Sequence, residues 1–426
     1  MHIRLRLIIM NFLQFAIWGA YLTSMSRFLG PAGLGSHIGI FYSVLGIVSI
    51  FMPAIMGIVA DRWIPAQKLL GLCHLIAAGF MLAAASYGLN SPSAGIAFGK
   101  LFSLYTLSVA FYMPTLALSA SVAYSILDKV RLDTVKVFPS IRLFGTIGFI
   151  CTMWLVDILG FQVSAMQFMI SGLIGVLLGL YSFTLPNCPI TYDANNKKTL
   201  FEALGLNAFK LFKDRNMAIF FIFSMLLGVS LQITNGFANP FIASFESLPK
   251  FADTFGVKHA NILISISQIS ETMCILLIPF FLKRYGIKVV MIMAMFAWVL
   301  RFGLFGLGDP GNGVWMLILS MIVYGIAFDF INISGSLFVD KETPHIMRSS
   351  AQGLFMLMTN GVGATIGTLG AQAIVNKFCS WQEVLVGTET KSLLIGDWQS
   401  VWFIFTTYAL IIAVLFMVLF KYKHTR

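Results

Sequence analysis

Charge is scarce in this chain: only 11% of its 426 residues are Asp, Glu, Lys or Arg, against about 25% in soluble globular domains. That deficit excludes an ordinary soluble fold. Cysteine is sparse as well. Cys73, Cys151, Cys188, Cys274 and Cys379 are scattered, odd in number and mostly inside apolar runs, so they make neither a disulfide framework nor a metal motif. Of the six histidines, His2, His74, His259, His345 and His424 lie mostly near the ends of apolar runs and show no metal spacing, and no nucleophile constellation points to an enzyme. Acidic residues are fewer than basic ones, 17 against 28, which leaves a formal charge of +11. In a soluble protein that excess would suggest nucleic acid; here the basic residues fall in short loops between apolar runs and read as membrane topology. No metal, prosthetic group or nucleic-acid partner is expected.

What is abundant is apolar. A hydrophobic share of 58% supplies roughly twelve stretches of about 20 residues, the length that crosses a bilayer as a helix. They run at about 5–28, 37–60, 67–88, 95–124, 138–160, 163–185, 216–244, 259–282, 287–307, 313–339, 347–375 and 400–420. The sustained polar stretch Asn187–Arg215 divides them six and six. The expectation is an all-α membrane protein with twelve transmembrane helices in two pseudo-symmetric six-helix bundles, 1–185 and 216–426, joined by a cytoplasmic linker, 186–215. Inside the linker, Leu204, Ala208, Leu211 and Phe212 recur at helical spacing beside Lys210 and Lys213, the pattern of a short surface helix or of a plain solvated linker.

With a cytoplasmic amino terminus, one side of the membrane receives most of the basic residues, Arg4, Arg6, Arg62, Lys68, Lys129, Lys283 and Arg284 among them. The other receives Arg27, Lys250, Lys258, Lys377 and Lys391. This bias places both termini in the cytoplasm. Apolar character continues from Leu7 through Phe28 without a cleavage site, so the first helix is retained rather than removed as a signal peptide.

A charged side chain near the bilayer centre costs about 2.5–3.5 kcal/mol on insertion scales, so such residues face a protein interior or a wet cavity. Glu271 falls near the middle of the eighth run, Asp329 near the middle of the tenth, and Arg142 about one turn inside the fifth. Each has company at spacings of three, four or seven, which share one helix face. Arg142, Thr146 and Phe149 form one stripe; Gln232 and Asn235, then Gln268 and Glu271, are three apart; Tyr324 and Phe328 are four apart, with Asp329 and Asn332 adjoining. Single amides also serve as glue between membrane helices, and single aromatics as packing. Acids are costlier, and the mixture suits a small ligand with hydroxyls, amide groups and a flat ring. Gln14 and Trp18 repeat the pattern as either pocket wall or glue, while Lys100 and Arg301, near run ends, fit snorkelling.

Desolvation favours the protonated form of a carboxyl, and uptake and release of a proton there is what a proton-coupled carrier needs. Asp329 or Glu271, with Arg142 as competing partner, are the proton-coupling candidates. After the second run the loop Gly57-Ile58-Val59-Ala60-Asp61-Arg62-Trp63 supplies a cytoplasmic gate in Gly57, Asp61 and Arg62, since Asp61 can accept charge-assisted hydrogen bonds from basic residues or a helix amino terminus. The loop after the eighth run, Phe281–Gly286, keeps a basic pair and a glycine without the acid.

Together the Gly-x-x-x-Asp-Arg loop and the two six-helix halves resemble the major facilitator superfamily. More closely, the chain resembles bacterial nucleoside permeases of the nucleoside:proton symporter family. The resemblance is carried by Phe12-Leu13-Gln14-Phe15 with Trp18-Gly19, the Gly57–Trp63 loop, Ile141-Arg142 with Gly145–Phe149, Asn216–Gly228, Leu231–Asn235, Ser265–Thr272, and Phe328-Asp329-Phe330 with Asn332–Gly335. It implies nucleoside uptake with a proton across the bacterial inner membrane by alternating access. It also implies a pocket at Arg142, Thr146, Phe149, Gln232, Asn235, Gln268, Glu271, Tyr324, Phe328 and Asp329, the same residues that cost and spacing single out. A monomer in the lipid bilayer, with nucleoside and protons as its ligands, is expected. The competing readings are a sugar or oligosaccharide symporter of the same superfamily and a membrane nucleoside sensor without flux. The segment Lys377–Trp398 is the least family-like part and receives no role.

Overall fold

The structure, a computed structural model, describes residues 3–91, 95–190, 206–344 and 347–422. Long apolar runs become helices because a helix satisfies every backbone N–H and C=O internally, where lipid offers no partner. By backbone proximity the chain forms two compact units, residues 1–35 with 47–203, and residues 36–46 with 204–426.

In the first unit α1 (Ile3–Gly19) is followed by α2 (Ile38–Arg62), α3 (Ala66–Asn90), α4 (Phe98–Lys129), α5 (Thr134–Ile158) and α6 (Met166–Ser182). The first eleven residues of the α2 region, 36–46, group with the second unit. That unit holds α7 (Arg215–Leu231), α8 (Ile233–Ser244), α9 (Ala260–Leu307), α10 (Val314–Glu342), α11 (Arg348–Met356), α12 (Ala364–Phe378) and α13 (Trp398–Leu419). The twelve apolar runs fall mainly on helix. Among the described residues nine helices are long and apolar enough to cross a membrane, and Met166–Ser182 is a shorter apolar one. The eighth and ninth runs lie on one 48-residue element, α9, broken at Gly286 (φ 78°, ψ 169°). Only glycine adopts that conformation at little cost, which makes the break a property of the sequence.

Helices approach backbone to backbone in both units. In the first, a Cβ on Gly148 of α5 would overlap the Phe12 carbonyl oxygen of α1. In the second, a Cβ on Gly228 of α7 would overlap the Thr359 carbonyl oxygen, in the wider π-type turn between α11 and α12. Small residues permit this closeness, and dispersion supplies the attraction where lipid removes the hydrophobic one. Backbone cannot step aside as a side chain can. The Gly148→Leu substitution is therefore expected to abolish the monodisperse folded peak in fluorescence-detected size-exclusion chromatography, whereas Gly57→Leu, at a glycine with no neighbour within 4 Å of its Cβ position, leaves the peak in place.

The linker is secured at both described ends. Gln67 Nε2 donates to Asn187 Oδ1 at 2.7 Å and Gln67 Oε1 accepts from the Cys188 N–H at 2.9 Å. Leu206–Lys213 winds as a tight 3-10 helix, with Phe209 and Phe212 stacked at 5.7 Å and Phe212 on Phe221 of α7 at 5.5 Å. Leu204 and the polar residues 193–198 lie outside the described residues.

The segment without an assigned role is a β-hairpin, the exception to the all-α expectation among the described residues. β1 (Cys379–Val386) and β2 (Glu389–Gly396) pair antiparallel from Cys379↔Gly396 to Val386↔Glu389, with Gly387 in the left-handed region (φ 62°) at the turn. Leu393 and Leu394 are buried, the Trp398 indole N–H donates to Leu394 O at 3.0 Å, and Lys391 Nζ meets Glu246 Oε2 at 2.9 Å. Glu246 is 8% exposed and Lys391 39%. Removing Lys391 takes the ammonium away from a nearly buried carboxylate, a larger loss than for an exposed pair, whose worth is about 0.2–1 kcal/mol. Lys391→Ala is expected to destabilise the second unit by about 1–2 kcal/mol, read as a lower thermal midpoint in detergent, with Lys391→Arg close to wild type.

Candidate functional site

In the first unit the stripe on α5 exists as the spacing predicts. Arg142 and Thr146 are half-buried and Phe149 is 8% exposed. The Arg142 guanidinium carbon lies 3.8 Å from the centroid of the Phe15 ring on α1, a cation–π contact that orients the fork without neutralising it. Gly145 makes room for it: a Cβ there would fall 2.6 Å from Phe15 and 3.0 Å from Arg142 Nη1. The charge of Arg142 also reaches the hydroxyl of Tyr112 on α4.

Gln14 resolves as helix glue. It is fully buried; its Nε2 donates to Thr115 Oγ1 at 2.8 Å, its Oε1 is 2.8 Å from His74 Nε2, and its backbone carbonyl accepts from the Tyr112 hydroxyl at 2.8 Å. Three helices, α1, α3 and α4, are thereby tied through one amide. Trp18 packs edge-on against Tyr112 at 6.0 Å. Spacing alone gave no sign that His74 and Tyr112 belong to this network. The gate candidates Gly57, Asp61 and Arg62 lie at the carboxyl end of α2, with Asp61 exposed and making no hydrogen bond or ion pair to the described residues.

The second unit brings more of the candidates together. Gln232 interrupts helix between α7 and α8 (φ −93°, ψ −10°), and its Oε1 accepts from Asn235 Nδ2 at 2.9 Å. That bond fixes both amides and leaves the Gln232 amino group and the Asn235 carbonyl as an adjacent donor and acceptor. On α9, Gln268 and Glu271 are half-buried, and Gln268 Oε1 has no partner among the described residues. α10 packs closely on α9: the Ser270 hydroxyl donates to the Ile322 carbonyl, and a Cβ on Gly325 would sit 2.6 Å from Ser270 O. This closeness brings Tyr324 under the fields of both Glu271 and Asp329. Tyr324 stacks on Phe328 with centroids 5.5 Å apart and planes 18° apart. Phe328 is half-buried and Asp329 is 5% exposed.

One candidate reading is corrected here. Arg301 does not snorkel to an interface: it is 2% exposed, donates to Ser320 O at 2.9 Å, and lies 4.5 Å from the Tyr324 ring centroid. Its place was legible in the stripe Met291, Ala294, Trp298, Arg301, Phe305, whose three-to-four spacing puts it on a core-facing side. Lys100, by contrast, is exposed at the start of α4 with its ammonium 4.4 Å over the Tyr87 ring.

The profile of the family described as "Nucleoside H+ symporter" matches residues 1–425. The chain belongs to the nucleoside H+ symporter family. Within it, the chain is 47% identical to the nucleoside permease NupG of Escherichia coli strain K12, over all of this chain and 98% of that protein. Identity to the xanthosine permease of the same strain is also 47%, over all of this chain and 97% of the relative. The crystal structure of NupG superposes with a TM-score of 0.88, at 46% identity, covering 99% of this chain and 100% of the other. The crystal structure of a D-xylose-proton symporter matches at 13% identity with a TM-score of 0.67, covering 96% and 95% of the two chains; that likeness shows the major facilitator fold alone. As a symporter of this family the protein is a multi-pass membrane transporter that couples nucleoside uptake to protons, not an enzyme.

Proposed function

We propose that the nucleoside is held by Arg142, Thr146, Phe149, Gln232, Asn235, Gln268, Glu271, Tyr324 and Phe328. Asp329 carries the coupling proton, assisted by Glu271 and Arg142, and Gly57, Asp61 and Arg62 form the cytoplasmic gate. The observation that carries this reading is the conjunction in one unit of a locked amide pair, a stacked ring pair and two acids on adjoining helices. A nucleoside asks for each of them: donors and acceptors for the base edge and ribose hydroxyls, and a flat face for the base. The names of the relatives, a nucleoside permease and a xanthosine permease, support a substrate with a complete base and sugar rather than a sugar alone. The protein works as a monomer in the inner membrane with both termini cytoplasmic and moves substrate by alternating access.

The test is labelled uridine and adenosine uptake into proteoliposomes with an imposed inward proton gradient. Accumulation above equilibrium that a protonophore collapses and excess xylose leaves untouched is the expected result. Equal filling with and without the gradient overturns coupling, and competition by plain sugars overturns the substrate class.

A further inference from the structure

The Arg301 guanidinium is the feature of the second unit that the proposed site does not use. A buried cation is expensive, and ordinarily a carboxylate accompanies it. No carboxylate lies within ion-pair distance of Arg301 among the described residues. The group is held instead by Ser320 O at 2.9 Å, Ser267 Oγ at 3.4 Å, and the ring faces of Tyr324 at 4.5 Å and Phe305 at 5.3 Å. Ser320 returns a hydrogen bond from its hydroxyl to Arg301 O at 2.8 Å. These contacts connect both segments of α9 to α10. If joining helices were the whole role, an apolar side chain of similar size would do so at lower cost.

Two features make the cation useful. Tyr324 has Arg301 against its ring, Phe328 stacked on it, and Trp298 edge-on at 6.0 Å, so its plane is set by the guanidinium. The Tyr324 hydroxyl also lies within the fields of Arg301, Glu271 and Asp329 at once. The titratable groups around this point are Tyr324, Asp329, Glu271 and Cys274, the last under the field of Asp329. Of the other elements packed on α9, α8 carries no titratable side chain, the short helix Phe255–Lys258 carries Lys258, and α13 only Tyr408.

We propose that Arg301 is a positioning residue for transport: it holds the Tyr324–Phe328 ring pair in the plane that meets the nucleobase. This rests on the assignment of Tyr324 and Phe328 to the nucleoside.

The experiment compares Arg301→Lys, Arg301→Gln and Tyr324→Ala in proteoliposomes, reading KM, maximal rate and the pH profile of uptake, with folded protein quantified by size-exclusion chromatography. Arg301→Lys keeps the charge and loses the planar fork, so KM rises about tenfold with the pH profile unmoved. Arg301→Gln removes the cation from the Tyr324 ring altogether, so KM rises at least as far as in the Lys variant, again with the pH profile unmoved. A merely structural arginine would lower the amount of folded protein or the maximal rate in both variants and leave KM unmoved. Should the Gln variant fail to fold, the Lys variant decides alone: a wild-type KM there overturns the proposal. Raised KM in Tyr324→Ala with wild-type behaviour in the arginine variants overturns the role of Arg301 only, whereas wild-type KM in Tyr324→Ala overturns the site assignment beneath it.

Discussion

Replacing Asp329 with Asn is expected to abolish concentrative uptake while leaving nucleoside exchange in place. Asp329 is 5% exposed on α10, next to the stacked rings, whereas Glu271 is half-buried on α9 beside Gln268. Of the two acids Asp329 is the more secluded from solvent, and an acid placed at depth in a membrane span marks a proton pathway. The amide keeps size and polarity but cannot exchange a proton. One pH unit of gradient is worth about 1.4 kcal/mol per proton, so one-for-one coupling supports an accumulation ratio of about ten. Asp329→Asn should reach a ratio of about one under the same gradient, yet still exchange labelled for unlabelled uridine across the membrane. Glu271→Gln should show the converse. A hydrogen bond from substrate to a charged group is worth about 1.5–3 kcal/mol, so KM rises roughly tenfold or more while the ratio at saturating nucleoside is kept. Tenfold accumulation by the Asp329 variant would move the coupling proton elsewhere.

Fold and site differ in how far they could be read in advance. Helix placement follows from run length and the cost of lipid-exposed backbone, and the twelve runs fall mainly on helix. The hairpin at 379–396 escaped because its strands, CSWQEVLV and ETKSLLIG, show only broken alternation, and its register is completed by contacts remote in sequence, such as Lys391 with Glu246. Among polar residues, stripes on a single helix were legible because three-to-four spacing is a property of one helix. Contacts between helices were not. Gln14 meets His74 and Thr115 across 60 and 101 residues, and no periodicity encodes that meeting. Arg301 was misplaced for a different reason, since its own stripe already faced the core. Its position near a run end suggested an interface, but the partners that hold it in the interior, Ser267, Ser320 and Tyr324, come from the neighbouring segment and helix.

Truncating Phe328 to Ala should raise KM for uridine and adenosine by about 5- to 150-fold, the range that follows from about 1–3 kcal/mol of base–aromatic stacking at 1.4 kcal/mol per factor of ten. The two rings are not equivalent. Tyr324 is 6% exposed, with Arg301 on its ring, Trp298 at its edge and Phe328 stacked beside it; Phe328 is half-buried and keeps surface to offer. Stacking on a base therefore falls to Phe328, with Tyr324 as the plate behind it. Phe328→Tyr preserves the plane and should stay within about threefold of wild type, whereas Phe328→Leu keeps apolar volume without a flat face and should resemble the alanine variant. Adenosine, with the larger ring system, should lose more than uridine, so the ratio of the two KM values separates stacking from general loss of shape. An equal, small change for both nucleosides in Phe328→Ala and Phe328→Leu would mean that the ring pair packs α10 against its neighbours and that the base is recognised by the amides alone.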